Sequence, residues 1–300
     1  MKKLTLLLLA LLYVTLTYAY TERDLLQKQA DINRLKEILV LDRQWVTYPD
    51  YNDRAGWDRF LGTFKDEYIR RGEKRLNYQW QVVKATDYLA FERTGNRQIM
   101  EKPFGANNGA IADLLMAELA EGKGRFVDQL INGVFNACEM TSWALAAHII
   151  VQPSHRALPA YDYPVIDLTS GDLGGLLAWT YHFMRPSFDK VDPEISRRLR
   201  HELQTRILDP YMNNDSFWWM GRNYNGRMLN NWNPWCNSNA LMCFMLLEDN
   251  RDTLAKAVHL TMESVDKFLN YIKADGACEE GPSYWGHAAG KTLDYLELLS

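Results

Sequence analysis

The sequence predicts an all-α chain of helical hairpins set side by side as an incomplete (α/α) toroid. Three observations carry this. Apolar residues recur at helical spacing through most of the 300 residues. No alternating apolar and polar stretch of useful length reads as a strand. The helical segments come in pairs, joined alternately by tight turns and long loops, and such pairs bury both faces only when stacked on neighbours.

The opening MKKLTLLLLALLYVTLTYAY stands apart from that pattern. Lys2 and Lys3 form a basic start, Leu4 to Thr17 an apolar run, and Thr17-Tyr18-Ala19 a small-x-small cleavage site. Residues 1–19 therefore read as a secretory signal peptide and 20–300 as the exported domain, periplasmic or extracellular. The apolar run is short for an anchor, and no other approaches the eighteen or so apolar residues of a membrane span. No stable membrane insertion is expected after cleavage.

TERDLLQKQADINRLKEILVL predicts a helix capped by Thr21, with Leu25, Ile32, Leu35, Ile38 and Leu39 on its apolar stripe. GWDRFLGTFKDEYIRR and RLNYQWQVVKATDYLAFERTG follow, the second stopped by Gly95. NNGAIADLLMAELAEGKG, RFVDQLINGVFNA and EMTSWALAAHII continue the helical series. A Pro-rich connection, VQPSHRALPAYDYPVIDLTSGD, leads into LGGLLAWTYHFM and PEISRRLRHELQTRIL, where Pro193 suits a first turn. A loop over 211–236 precedes two more helices, SNALMCFMLLED and RDTLAKAVHLTMESVDKFLNYIKADG. A second loop, ADGACEEGPSYWG, opens the last helix. That helix reaches Ser300 without a cap, which predicts a further domain beyond it.

Composition narrows the function. The formal charge is −4, and no basic stripe is present to displace counterions from phosphates, so no nucleic-acid partner is expected. Ten Trp and sixteen Tyr exceed what a core needs, and several fall in predicted loops. Cys138, Cys236, Cys243 and Cys278 show neither zinc spacing nor a disulfide framework, so no metal and no cofactor is predicted. Cys236 and Cys243 would stand roughly 10 Å apart on a helix, too far to bridge. Buried thiols are the leading reading, and a Cys236–Cys278 bridge the other.

The stretch YMNNDSFWWMGRNYNGRMLNNWNPWCNSN crowds Trp218, Trp219, Trp232 and Trp235 among asparagines, with Arg222 and Arg227 nearby. Asn disfavours helices and strands alike, so the cluster predicts an irregular surface segment. Exposed indoles in a group mark a binding surface. Indole faces stack on sugars, amides pair with hydroxyls, and arginines meet carboxylate or sulfate. The opposing reading has these rings plugging the space between helix ends. The second loop carries Glu279, Glu280, Tyr284, Trp285 and His287, groups suited to proton transfer. Its opposing reading is a capping Glu280, a packed Tyr284 and a His287 bound to a carbonyl. His148, His182, His201 and His259 sit in helical, mostly apolar settings and read as core, whereas His155 lies in a loop that could share the site.

PVIDLTSGDLGGLLAWTYHF, NNWNPWCNSNAL and DGACEEGPSYWGHAAGK, at this separation, resemble the helical domain of the heparinase II/III-like polysaccharide lyases. The likeness covers roughly 130–300 by motif and the earlier helices only by pattern. It implies an incomplete toroid followed by a C-terminal β-sandwich, alginate-lyase-like β-elimination of a uronic-acid polysaccharide, and an acidic polysaccharide as partner. It further implies Asn230 or Asn231 as the group that neutralises the uronate carboxylate, and Tyr284 as base, acid or both. His287 and Glu280 are second-choice participants. Trp232, Trp235 and Trp285 would be sugar platforms, beside Trp218 and Trp219, with Arg222, Arg227 and His155 as further contacts. Many relatives carry histidine directly after the neutralising asparagine, where this chain has Asn231 and Trp232. The second proton-transfer group is therefore open between His155, His287 and the further domain, and loss of activity is the remaining alternative. Two other functions compete. One is a toroid glycoside hydrolase using Glu279 or Glu280 with an aspartate, and the other a non-catalytic glycan binder.

Overall fold

In a computed structural model describing residues 22–223, 228–272, 276 and 280–300, the regular elements are helical, and no strand occurs among the described residues. The expected signal peptide, Thr21, Arg227, Cys278 and Glu279 lie outside the described residues.

Helix α1 (Ile32–Ile38) is shorter than the apolar pattern predicts, and Asp31 caps it, accepting from Arg34 N–H at 2.8 Å. The residues ahead of it are held in turns by long-range bonds. Asp266 accepts from the N–H groups of Leu26 and Gln27, and Asn270 from those of Arg23 and Asp24. Helices α2 (Arg54–Leu61) and α3 (Lys65–Glu73) follow. Helix α4 (Ala85–Thr94) starts later than predicted because Asn107 grips the backbone of Gln81, accepting from its N–H and donating to its carbonyl. Gly95, at φ 72°, ends α4 as expected.

Helices α5 (Gln98–Glu121) and α6 (Val127–Cys138) form a hairpin. EMTSWALAAHII departs from expectation: it is not an α-helix but a run of turns ending in the short 3-10 turn Ile149–Val151. Its backbone is claimed by distant side chains instead. Tyr88 donates to the Ser142 carbonyl, Arg206 to those of Thr141 and Met140, and the Leu145 N–H donates to Asp167.

Asp167 and Ser170 cap each other at the start of α7 (Leu168–Val191). Helix α8 (Pro193–Leu203) begins with Pro193 in its first turn, as predicted, and continues through a π turn into α9 (Asp209–Asn213). Helices α10 (Trp232–Leu247), α11 (Arg251–Tyr271) and α12 (Trp285–Leu299) complete the series.

The predicted loop 211–236 is only partly a loop, since α10 already starts at Trp232 and runs through the asparagine cluster. Pro234 falls in the first turn, where its missing N–H has no helical partner to lose. Asn233 and Asn237 are fully buried. Asn233 Nδ2 donates to the carbonyls of Trp219 and Ser264, while Asn237 accepts from Tyr211 and donates to Ser264. These amides tie α10 to its neighbours. Tertiary bonds have overridden a weak local preference.

Helix α7 packs on α8 and α10, α10 on α11 and α12, α5 on α3, α4 and α6, and α1 on α11. One apolar cluster runs through them, with Trp57, Phe126, Leu177, Phe188, Tyr211, Phe244 and Val258 almost wholly buried. Each such side chain contributes about 1.5–3 kcal/mol by leaving water. The α7–α10 approach is close: a Cβ added at Gly171 would lie 3.1 Å from Asn239 Nδ2. That contact fixes the spacing of the two helices that carry most of the site. Among the described residues no helix is long and apolar enough to cross a membrane.

Candidate active site

The N-terminal ends of α7, α10 and α12 meet, and the chemistry-bearing side chains collect there. Trp232 and Trp235 both lie in the first turn of α10, and their rings contact different partners. The ring of Trp235 stacks on His287 at 4.9 Å between centroids and 17° between planes, and His287 lies 5.7 Å from the Tyr284 ring. The Lys291 ammonium stands 5.5 Å from the Trp235 centroid. Trp235 Nε1 and Asn239 Nδ2 both donate to one oxygen of Asp172, at 2.7 and 2.8 Å. Burial raises the Asp172 carboxyl above the usual range, while those two hydrogen bonds and Lys291 pull it back down.

Trp232 faces the other way. Its ring meets His148 edge-on at 4.6 Å and Trp218 at 5.4 Å. His148 Nδ1 lies 2.7 Å from Asp167 Oδ2, and Nε2 lies 3.3 Å from Arg97 Nη2. A guanidinium only donates, so Nε2 is the acceptor and Nδ1 carries the proton donated to Asp167. Asp167 is wholly buried and also accepts from the N–H groups of Leu145 and Ser170.

Glu280 connects the second loop to α10. Its two oxygens accept from the Asn231 backbone N–H and side-chain amide, each at 2.8 Å. Glu280 thus satisfies the start of α10, rather than the start of the helix that follows it in sequence. Asn231 is 3% exposed, and its side-chain oxygen has no hydrogen-bond partner among the described residues. Asn230 is half-buried; its side-chain oxygen accepts from Trp232 N–H at 3.1 Å, which leaves its amide hydrogens at the helix entrance. The anion that a helix N-terminus favours is here the Glu280 carboxylate itself, and the following N–H groups of Trp232, Asn233 and Trp235 bond to Asn230 and Asn231.

Of the residues singled out from sequence, Asn230, Asn231, Trp232, Trp235, Glu280, Tyr284 and His287 come together, with Trp218 close by. Tyr284 and Trp285 are exposed, at 46% and 60%. Trp219 is a correction: at 1% exposure it stacks on Phe217 and donates Nε1 to the Ile166 carbonyl, so it belongs to the core. Arg222 is paired with Asp215 and lies over the Tyr211 ring, bracing its own segment. His155 occupies an exposed turn at φ 52°, in the loop that Arg156 ties to Glu92. Cys138, Cys236 and Cys243 are buried, as the leading reading expected, and unbridged among the described residues.

Sequence reasoning passed over His148, Asp167, Asp172, Lys291, Asn239 and Arg97. Asp167 had a usable signal, as an Asp placed before LTSG is a helix cap. His148 did not, because WALAAHII looks like helix interior. Two cavities, of about 230 and 660 Å3, open around Tyr163, Pro164 and Thr205, and the site residues line neither. Among the described residues no group of three or more His, Cys, Asp or Glu could hold a metal ion. No protein-family model matches the chain, and no curated protein matches it.

Proposed function

We propose that the junction of α7, α10 and α12 is the active site of an exported polysaccharide lyase acting on a uronic-acid-containing glycan by β-elimination, carried on an incomplete (α/α) toroid. The observation that carries this reading is the Asn231–Glu280 clasp. It sets the start of α10, with the Asn230 amide, beside the segment bearing Tyr284 and His287. Lone amides or lone phenols occur in any protein, whereas this pairing has the two functions the elimination needs.

The chemistry follows from the charge. A uronate carboxylate bearing full charge makes the neighbouring C5 proton very weakly acidic. The Asn230 amide hydrogen-bonds that carboxylate and spreads the charge that develops as C5–H breaks. The C5 electron pair forms the C4=C5 bond, the C4–O4 bond breaks, and O4 takes a proton. Tyr284 carries one of the two proton transfers. Trp232, Trp235 and Trp285 provide faces for sugar rings, and Lys291 supports an anionic chain. Glu280 is a positioning residue, since both its oxygens already bind Asn231.

One observation favours hydrolysis as the second reading. Asp172, its carboxyl raised by burial, lies under Trp235 as a general acid would. Products separate the two. Elimination creates an ultraviolet-absorbing unsaturated end with every cut, and hydrolysis creates a reducing end without it. Purified protein incubated with heparan, chondroitin, hyaluronan, alginate and glucuronan is expected to yield the absorbing product on at least one. Reducing ends without absorbance would replace this reading with the hydrolase. Glycan binding without any product would leave a binding protein.

A further inference from the structure

We infer that Asp172 sets the specificity of this site, accepting a hydroxyl of the sugar ring beside the uronate and excluding a sulfate ester at that position. The inference rests on the β-elimination reading and narrows its substrate to an unsulfated uronate glycan.

The carboxylate is held by one oxygen and offered by the other. Trp235 Nε1 and Asn239 Nδ2 both donate to Asp172 Oδ1, at 2.7 and 2.8 Å. Oδ2 takes part in no hydrogen bond or ion pair among the described residues, and Asp172 is exposed. Two N–H donors on Oδ1 favour the charged form and fix its orientation. The protein crowding the carboxyl strips part of its hydration even though the residue reaches the surface. An acceptor in that condition gains most from a donor that a ligand supplies.

Its place along α10 decides which ring it meets. Asn230 stands ahead of the helix, whereas Asp172 is bonded to Trp235 and Asn239 in the first and second turns. At about 1.5 Å of rise per residue, that offset is on the scale of one sugar ring. A uronate whose carboxylate meets the Asn230 amide leaves Asp172 to the next ring of the chain.

The charges at this position disfavour sulfate. Two charged side chains meet Trp235, Asp172 and Lys291, and Asp294 takes part of the Lys291 charge at 3.2 Å. Glu280 is engaged by Asn231, and Arg222, a cation that could have met a sulfate, is committed to Asp215. A sulfate ester carries a full negative charge and no donor hydrogen. Against Asp172 it meets like charge and leaves Oδ2 without the hydroxyl proton it would accept. A hydroxyl at the same position makes a charge-assisted hydrogen bond. Selectivity here comes from what is repelled as much as from what is bound.

The test offers wild type and Asp172→Asn each of the five uronate polymers in unsulfated and sulfated form. The unsaturated product is followed, with glycan binding by calorimetry and thermal melts in parallel. Asparagine keeps an acceptor oxygen for Trp235 and Asn239 and removes the charge. Wild type is expected to show kcat/KM at least about tenfold higher on the unsulfated form of the polymer it cleaves. Asp172→Asn should bring the two forms to within about threefold, chiefly by a gain on the sulfated one. A variant that merely loosened Trp235 would show no such gain. A wild type that cleaves the sulfated form as fast or faster would overturn the assignment and leave the lyase reading intact, as would a folded Asp172→Asn that keeps the wild-type ratio. Loss of cleavage on both forms in a folded Asp172→Asn that still binds glycan would overturn it too, since the carboxyl would then take part in the chemistry. If wild type forms no unsaturated product, the lyase reading falls and the binding ratio decides. A preference of about tenfold for unsulfated chains that Asp172→Asn abolishes would uphold the assignment, and equal binding would overturn it.

Discussion

Glu280 accepts two 2.8 Å hydrogen bonds from Asn231, one from the backbone and one from the amide, across 49 positions of sequence. This contact fixes the Tyr284 segment against α10. Asn231 is almost fully buried, so removing its acceptor strands two donors. Glu280→Ala should lower stability by about 1–3 kcal/mol and suppress product formation together. Glu280→Gln, which offers one acceptor oxygen and places an NH2 against a donor, should fall between. Urea denaturation read alongside the product assay checks both.

Trp219 and Trp285 are predicted to separate. Trp219→Ala empties a core position and should destabilise by about 3–5 kcal/mol, visible as an earlier unfolding transition. Trp285→Ala removes an exposed ring, so the melt should be unchanged while glycan affinity falls by about five- to thirtyfold. Equal effects on both quantities in both variants would contradict the division into core ring and sugar platform.

Alkaline pH should weaken the fold through the buried thiols. Burial pushes Cys138 and Cys243 from 9.0 up to about 12. A folded value raised above the unfolded one means the folded state holds its proton longer. The contribution is complete below the unfolded value and is lost as pH rises through the window from about 9 to about 12. The melting temperature is expected to drop across that window, and Cys138→Ala should flatten the drop. Near neutral pH, thiol reagents should leave these two cysteines untouched until the protein unfolds.

Much of the fold was legible because it depends on local signals. Pro193, Gly95 and the 3.6-residue apolar stripe each act within a turn or two, and the helices they predict are present. The failures share one cause. Asn233 and Asn237 sit in a helix because Trp219, Ser264 and Tyr211 bond to their amides, and EMTSWALAAHII is irregular because Tyr88, Arg206 and Asp167 claim its backbone. Long-range partners of this kind leave no periodic trace. The site divides the same way. Tyr284 and His287 were readable from a loop signal, whereas Asp172 and Lys291, which meet Trp235, stand inside helical stretches that carry no such signal.

The claim that the α10 entrance and Tyr284 act together on a uronate is tested most directly by one absorbance measurement. Wild type, Asn230→Ala and Tyr284→Phe are each incubated with the five uronate polymers, and the unsaturated product is followed in the ultraviolet. The account predicts a steady rise for wild type on at least one polymer and a flat trace for both variants, with the glycan still bound by Tyr284→Phe. A flat wild-type trace on all five, or a Tyr284→Phe trace matching wild type, would contradict it.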